Sequence, residues 1–586
     1  MPEQQASPSA QCTDAEAAVF QPHPLPWLAL ICVVYTCAFI AILPHCRYQI
    51  NLDGLYYIQL AQYWAVGDFA HAVNGYWSPL LSWCLVPFVW LQVDLLWACK
   101  VVTGTAGLAL ALATYWLARR LGLLTTTALV ASAAAAAMAL QYATTHISPD
   151  LLLAVFVTLY MATAFDVRVL SRARSAFACG LVAGVAFLAK SYALPFVLAH
   201  YAVSAVLHRL TGKLERGPRA LVIACWLAGL LVFAAPWISA LSWKYGRFTV
   251  STTAYIAHAI VAPDHTYGLH ADPGFRIIPT HIQVDPTIQG NKYFYWSPFD
   301  SIDALVHQLK IITVNLSVIR NYLALLHQDG LFSAAIMVSL LGLLTLSGWG
   351  QWRFRQAWAI VTLAVYASGY ALIFCTAPRY YWPLMPLALV LLFQYPDALA
   401  RSCPDWLTGM IKSQRRAYWV VMGVLLLSSI PLVTVATVFR SSLGGTFERL
   451  ANNFVPAQTD WLRPLTKSIG ALGVRGPLGA VNFREAPYVA YSLGLEWGNR
   501  ARATYPPDVV REAQAAGLAS VLVLAQDDAT RYYWRQLGKI GGARLLGEVS
   551  YPGMQNATIM VYDVAASRPA PATSKPAAMR SEGTIP

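Results

Sequence analysis

The sequence predicts a polytopic α-helical membrane protein followed by a soluble α/β domain, on three observations. Of its 586 residues, 57% are hydrophobic and only 12% are charged. Apolar runs of about 17 to 21 residues recur along it, each long enough to cross a hydrocarbon layer as a helix. Beyond residue 440 the pattern changes to short β-branched runs that alternate with helical ones, the signature of a small α/β domain.

The elements follow in order. Residues 1–25 are polar and small, with no basic n-region, so the run at 26–43 reads as a retained first span and not a cleaved signal. Further spans are expected at 96–118, 122–142, 150–166, 176–189, 192–207, 220–240, 331–348, 357–375, 380–396 and 418–438, and 80–97 is compatible with another span or an interfacial helix. With residues 1–25 as a cytoplasmic tail, basic residues fall on that side in every short connector: Arg119 and Arg120; Arg168, Arg172 and Arg174; Arg209, Lys213, Arg216 and Arg219; Arg353 and Arg355; Lys412, Arg415 and Arg416. The net charge of +13 is therefore a matter of membrane sidedness, and no nucleic-acid partner is expected. The ten cysteines include no CxxC pair and none lies beyond Cys403, so the tail folds without a disulfide.

This sidedness places a membrane domain at 26–438, with outer loops 44–95 and 241–330, and puts the tail outside. In the first loop, Leu55, Ile58, Leu60, Ala61 and Trp64 recur at helical spacing and suit a helix lying along the membrane surface. The second loop shows few helix or strand signals. Its histidines, His258, His265, His270 and His281, have spacings of 7, 5 and 11 that match no compact zinc pattern, so neither a metal nor a cofactor is expected, the alternative being a site that a distal carboxylate such as Asp264, Asp272 or Asp285 completes. In the tail (439–565), 479–483, 520–525, 543–550 and 556–564 read as strands, and 506–517 and 527–538 as helices, with no nucleotide fingerprint. Residues 566–586, rich in Pro, Ala and Ser, are expected to be disordered.

Two acids stand at apolar boundaries on the outer side, where an ionised group is costly without a partner. Asp53 precedes the aromatic run 54–69, and Asp150 opens a span in HISPDLLL. Each has a structural reading, as a carboxylate favoured at a helix N-terminus, and a functional one. Basic residues face the same side: Arg379 in TAPRYYWPLMP, Lys190 at the end of a short span, and Lys244, Arg247 and Lys292 in the long loop. Arg379 fits an aromatic belt with a snorkelling guanidinium, or equally a bidentate phosphate ligand.

The order and sidedness of these motifs, Asp53 with GLYYIQLAQYWAVGDF, NGYWSPLLSW, SPDLLL, GLVAGVAFLAKSYALPF and PRYYWPLMP, resemble the GT-C class of lipid-phosphate-dependent glycosyltransferases. Within that class the similarity is to bacterial relatives of protein O-mannosyltransferases and of the lipid A aminoarabinose transferase. The resemblance implies a bundle of about eleven to thirteen spans and an inverting transfer of sugar from a polyprenyl-phosphate donor to a hydroxyl of a glycan, lipid or protein, at the outer face of a bacterial inner membrane. It implies Asp53 as catalytic base, Asp150 in support, and Lys190 and Arg379 on the donor phosphate, with Lys244, Arg247 and Lys292 as further phosphate ligands. The pocket would draw on Tyr56, Tyr57, Trp77, Tyr380 and Tyr381. Gly54 stands where the resemblance implies a second acid. The alternative in a different class is a lipid or solute transporter, against which stand the absence of repeated hydropathy halves and the scarcity of mid-span charges.

Overall fold

The structure, a computed structural model, describes residues 22–46, 50–214, 218–263, 296–324, 350–373, 378–401, 414–429, 462–501, 503, 505–536, 543–551 and 556–565. Those up to Ser429 belong to one compact unit and those from Leu462 to a second.

Every regular element among the described residues of the first unit is a helix. Its described elements of seven residues or more are α1 (Pro24–Cys46), α2 (Leu52–Ala65), α3 (Leu80–Trp90), α4 (Leu95–Arg120), α5 (Thr125–Thr145), α6 (Asp150–Ala164), α7 (Ala173–Ala189), α8 (Ala193–Leu210), α9 (Ala220–Tyr245), α10 (Thr253–Ile260), α11 (Ile302–Ala324), α12 (Gly350–Leu372), a 3₁₀ turn (Pro378–Leu384), α13 (Met385–Arg401) and α14 (Gln414–Ser429). Among the described residues, six stretches are long and apolar enough to cross a membrane: Pro24–Pro44, α4, α5, α8, α9 and Ile302–Ile319. Three apolar helices, α3, α6 and α7, are shorter. The expected span at 331–348 lies outside the described residues.

Two expectations need correction. The stretch 241–330, expected as an outer loop, contains a 23-residue helix, α11, in a region that read as poor in helix signal. Its buried positions, Ala304, Gln308, Asn315 and Ile319, do follow helical spacing, but two of them are amides and hide the stripe from a hydropathy reading. Gln308 Nε2 donates to Leu372 O at 2.7 Å and Asn315 Nδ2 to Ala371 O at 3.0 Å, so side chains two turns apart on α11 meet adjacent carbonyls at the end of α12. Such a pattern requires the two helices to cross there. In the first loop, α2 turns Leu55, Ile58, Leu60 and Ala61 into the protein, so its apolar face is covered by protein and not by lipid. It is tied to α3 by the Ser82 hydroxyl, which donates to Tyr57 O at 2.9 Å.

Close backbone approach and buried polar bonds join the bundle, as expected where hydrocarbon surrounds it. Helices α7 and α9 touch through paired glycines: a Cβ on Gly180 would sit 2.1 Å from Trp226 O, and one on Gly229 would sit 2.2 Å from Phe177 O. Tyr160, His200 and Thr362 connect α6, α8 and α12 by hydrogen bonds of 3.1 and 2.9 Å. Helix α5 is held at both ends. At its N-terminus the buried Asp397 of α13 accepts from Leu124 N at 2.6 Å and from the Thr127 hydroxyl, satisfying donors that a helix start leaves open. At its C-terminus the fully buried Lys100 of α4 donates to Thr144 O at 2.6 Å. This clamped helix leads directly into the segment 146–150.

The second unit contains α15 (Leu462–Ala471), β1 (Leu478–Val481), α16 (Ala486–Ser492), β2 (Trp497–Arg500), α17 (Pro506–Ala515), β3 (Ser520–Ala525), α18 (Asp528–Arg535), β4 (Arg544–Ser550) and β5 (Thr558–Asp563). Its sheet has the order β2-β1-β3-β5-β4, with β1 parallel to both neighbours and β5 antiparallel to β3 and β4. The apolar strands β3 and β5 are buried along their whole length in its centre. The short strand β2 and the helices α15 and α16 escaped the sequence reading, because four residues with a polar end (WGNR) carry too little pattern to stand out.

Candidate active site

At the start of α2, Asn51 adopts an extended backbone and its side-chain oxygen accepts from Ile147 N at 2.9 Å, which pins the start of α2 to the end of α5. Asp53 follows in the first turn of α2 and Asp150 in the first turn of α6. Gly54 allows the two segments to meet, since a Cβ there would lie 2.8 Å from Ile147 Cβ. The space that a second acid after Asp53 would need is therefore filled by Ile147.

The two carboxylates share one cation. Arg379, in the 3₁₀ turn, donates through Nη2 to Asp53 Oδ2, and its Nε lies 3.7 Å from Asp150 Oδ2. On the other side of Asp150, Lys190 Nζ approaches Oδ1 at 2.7 Å. Asp150 thus pairs with a lysine and does not cap its own helix, for which no side-chain hydrogen bond is present. Two positive and two negative groups form a chain, Asp53–Arg379–Asp150–Lys190, drawn from four separate elements. Burial would lower the Arg379 pKa, but the carboxylates of Asp53 and Asp150 outweigh it and hold the guanidinium above its usual value.

Aromatic rings surround this chain. Trp77 stacks on Tyr56 with centroids 4.8 Å apart and meets Tyr57 edge-on at 5.5 Å. Lys190 Nζ lies 4.3 Å from the centroid of the Tyr380 ring, itself stacked on Tyr370. Tyr381 is buried and also packs against Tyr370. Burial raises the Tyr57 pKa well above its usual value, with the neighbouring carboxylates adding to the shift, so its hydroxyl stays protonated.

The long-loop basic residues are placed differently. Lys244 donates to Val73 O, Arg247 is exposed just past the end of α9, and Lys292 lies outside the described residues. Ser191, next to Lys190, is bonded into the loops instead: its N–H donates to the Ser78 hydroxyl at 2.9 Å, and its own hydroxyl accepts from Ser251 at 3.1 Å. Of the expected loop histidines, His258 stacks on Trp296 at 4.4 Å, and the other three are not among the described residues. Also among the described residues, no group of three or more His, Cys, Asp or Glu side chains could hold a metal ion.

Two residues at the site escaped the sequence reading, Lys100 and His146. A lysine five residues into an apolar run was a signal for the first. The second carries none, because a histidine at a helix end is ordinary. His146 is half-buried, packs edge-on against Trp382 at 5.3 Å, and has its pKa lowered to about 4, first by burial and then by Arg379 and Lys100.

The fold, a helical unit with long apolar helices followed by an α/β unit, is similar to that of a solved membrane protein. The match that carries this is ArnT from Cupriavidus metallidurans in its apo state, with a TM-score of 0.53 at 14% identity over 93% of this chain and 98% of that one. ArnT bound to undecaprenyl phosphate gives 0.48 at 14% identity, over 93% and 99% of the two chains. An oligosaccharyltransferase from Archaeoglobus fulgidus gives 0.46 at 11% identity, over 85% and 69%. No protein-family model and no curated protein matches the sequence.

Proposed function

We propose that the protein is an inverting glycosyltransferase that moves a sugar from a polyprenyl-phosphate donor to a hydroxyl acceptor at the outer face of a bacterial inner membrane. The observation that carries this reading is Arg379 held between Asp53 and Asp150, with Lys190 on the far side of Asp150. Guanidinium and ammonium groups suit a lipid phosphate, and two carboxylates hold them in place.

The roles follow from accessibility. The Asp53 side chain is 26% exposed and that of Asp150 only 2%, so Asp53 is the carboxylate that an acceptor hydroxyl can reach. Asp53 takes the hydroxyl proton as the acceptor oxygen bonds to the anomeric carbon. The bond from that carbon to the phosphate oxygen breaks, its electron pair stays on the phosphate, and Arg379 and Lys190 offset the growing charge. Phosphate leaves without a protonated acid, so one base suffices and the anomeric configuration inverts. Asp150 orients both cations. The faces of Trp77, Tyr56 and Tyr380 supply apolar walls for a sugar ring. Lys244, bonded to Val73 O, and the exposed Arg247 are assigned no contact with the phosphate, and Lys292, outside the described residues, is kept as a further phosphate ligand. The acceptor is a glycan, a lipid or a protein.

Transfer by purified protein from synthetic polyprenyl-phosphate sugars tests this reading. Asp53→Asn should lose about 10²-fold to 10⁴-fold in rate, and unchanged turnover would remove Asp53 from the mechanism.

A further inference from the structure

His146 differs from the four charged residues of the site in offering an uncharged lone pair, and its tautomer can be assigned. The Thr145 hydroxyl donates its single hydrogen to Gln141 O at 2.8 Å, yet the same oxygen lies 2.9 Å from His146 Nδ1. Having no second hydrogen to give, the threonine oxygen must accept there, so Nδ1 carries the imidazole hydrogen and Nε2 is the bare acceptor. Nε2 has no hydrogen-bond partner among the described residues. The ring is half-buried, set edge-on against Trp382 and within electrostatic reach of Arg379, Lys100 and Asp150. Its backbone is held by the clamped end of α5, where Lys100 binds Thr144 O and Asn51 binds Ile147 N. A fixed acceptor beside the cations suits a donor group that arrives with the phosphate, and the hydroxyls of the attached sugar are such groups.

We propose that His146 Nε2 accepts a hydrogen bond from a hydroxyl of the sugar on the donor lipid, making His146 a recognition residue that separates sugar-bearing from sugar-free polyprenyl phosphate. The inference rests on the donor reading above and concerns a contact that no charged residue of the site supplies.

The test measures binding of undecaprenyl phosphate, bare or carrying glucose, mannose or arabinose, to the full-length protein in lipid nanodiscs. Wild type should bind at least one sugar-bearing lipid more tightly than the bare one. His146→Leu should lose about tenfold on that lipid, with affinity for the bare lipid unchanged, and His146→Gln, which keeps an acceptor, should restore most of the loss. If His146→Leu fails to fold, ¹⁵N resonances of wild-type histidines, assigned with His146→Gln, should show an unprotonated Nε2 that shifts only with the sugar-bearing lipid. The proposal is overturned if His146→Leu keeps the sugar-dependent increment, if it weakens both lipids equally, if wild type does not distinguish the lipids, or if the Nε2 resonance is protonated. Wild-type protein that binds neither kind of lipid overturns the donor reading itself, and this inference with it.

Discussion

Arg379 bridges Asp53 and Asp150, two carboxylates 97 positions apart in the chain, donating to the first through Nη2 and reaching the second through Nε at 3.7 Å. The planar fork of arginine makes this possible, because its donors point in fixed directions toward both acids. Lysine, a single point of charge, cannot reproduce it. Arg379→Lys should therefore lose most of the effect on transfer that Arg379→Gln loses, about 10²-fold or more. A lysine variant with near wild-type rates would show that only the charge counts.

Lys190 and Asp150 form a separate pair at 2.7 Å, with the carboxylate almost fully enclosed. Removing either partner leaves the other charge without its closest counterion, a costly arrangement away from water. In a double-mutant cycle on thermal unfolding, Asp150→Asn and Lys190→Met should couple by about 0.5–3 kcal/mol. Simple additivity would mean that the pair is not energetically joined.

Gly54 is packed so closely on Ile147 that a methyl group cannot be added without movement of α2 or of the chain at 147. Gly54→Ala should lower stability by about 1–3 kcal/mol, read as a reduced midpoint of thermal unfolding, and should also displace Asp53 enough to slow transfer. A variant as stable and active as wild type would show that the two segments separate easily.

His146 gives a pH dependence whose sign is fixed. Its folded-state pKa of about 4 lies below the ordinary histidine value, so as pH falls from about 6.5 the unfolded chain takes up a proton that the folded protein refuses. Stability from this group is thus unaffected above about pH 7 and declines progressively toward pH 4. Unfolding midpoints of wild type and His146→Gln should converge as pH is lowered through that window if the glutamine is the less stable at neutral pH, and parallel curves would contradict the shift.

Lys100 donates to the last turn of α5 from a fully buried position. Lys100→Met fills a similar volume but leaves Thr144 O without that donor. Hydrogen exchange of the amides at 147 and 151 should accelerate in this variant, and unchanged protection would mean that Asn51 and α6 hold the segment without help from the lysine.

The sequence by itself determined the apolar helical character of the protein, its α/β tail and the two acids of its charged cluster. Hydropathy located five of the six long apolar helices among the described residues, and the cost of charge at apolar boundaries singled out Asp53 and Asp150, while Lys190 and Arg379 stood among five basic candidates with Lys244, Arg247 and Lys292. Strands β1, β3, β4 and β5 were equally legible, since period-2 and fully apolar runs are local patterns. Only the tertiary structure decided who pairs with whom: that one guanidinium serves two acids, that Lys244 spends its ammonium on Val73 O, that Ile147 fills the place of a second acid, and that amides conceal the buried stripe of α11. Periodicity and burial cost act on neighbouring residues and can be read along the chain. Pairing, tautomer and close approach depend on distances between segments a hundred or more residues apart, which folding alone fixes.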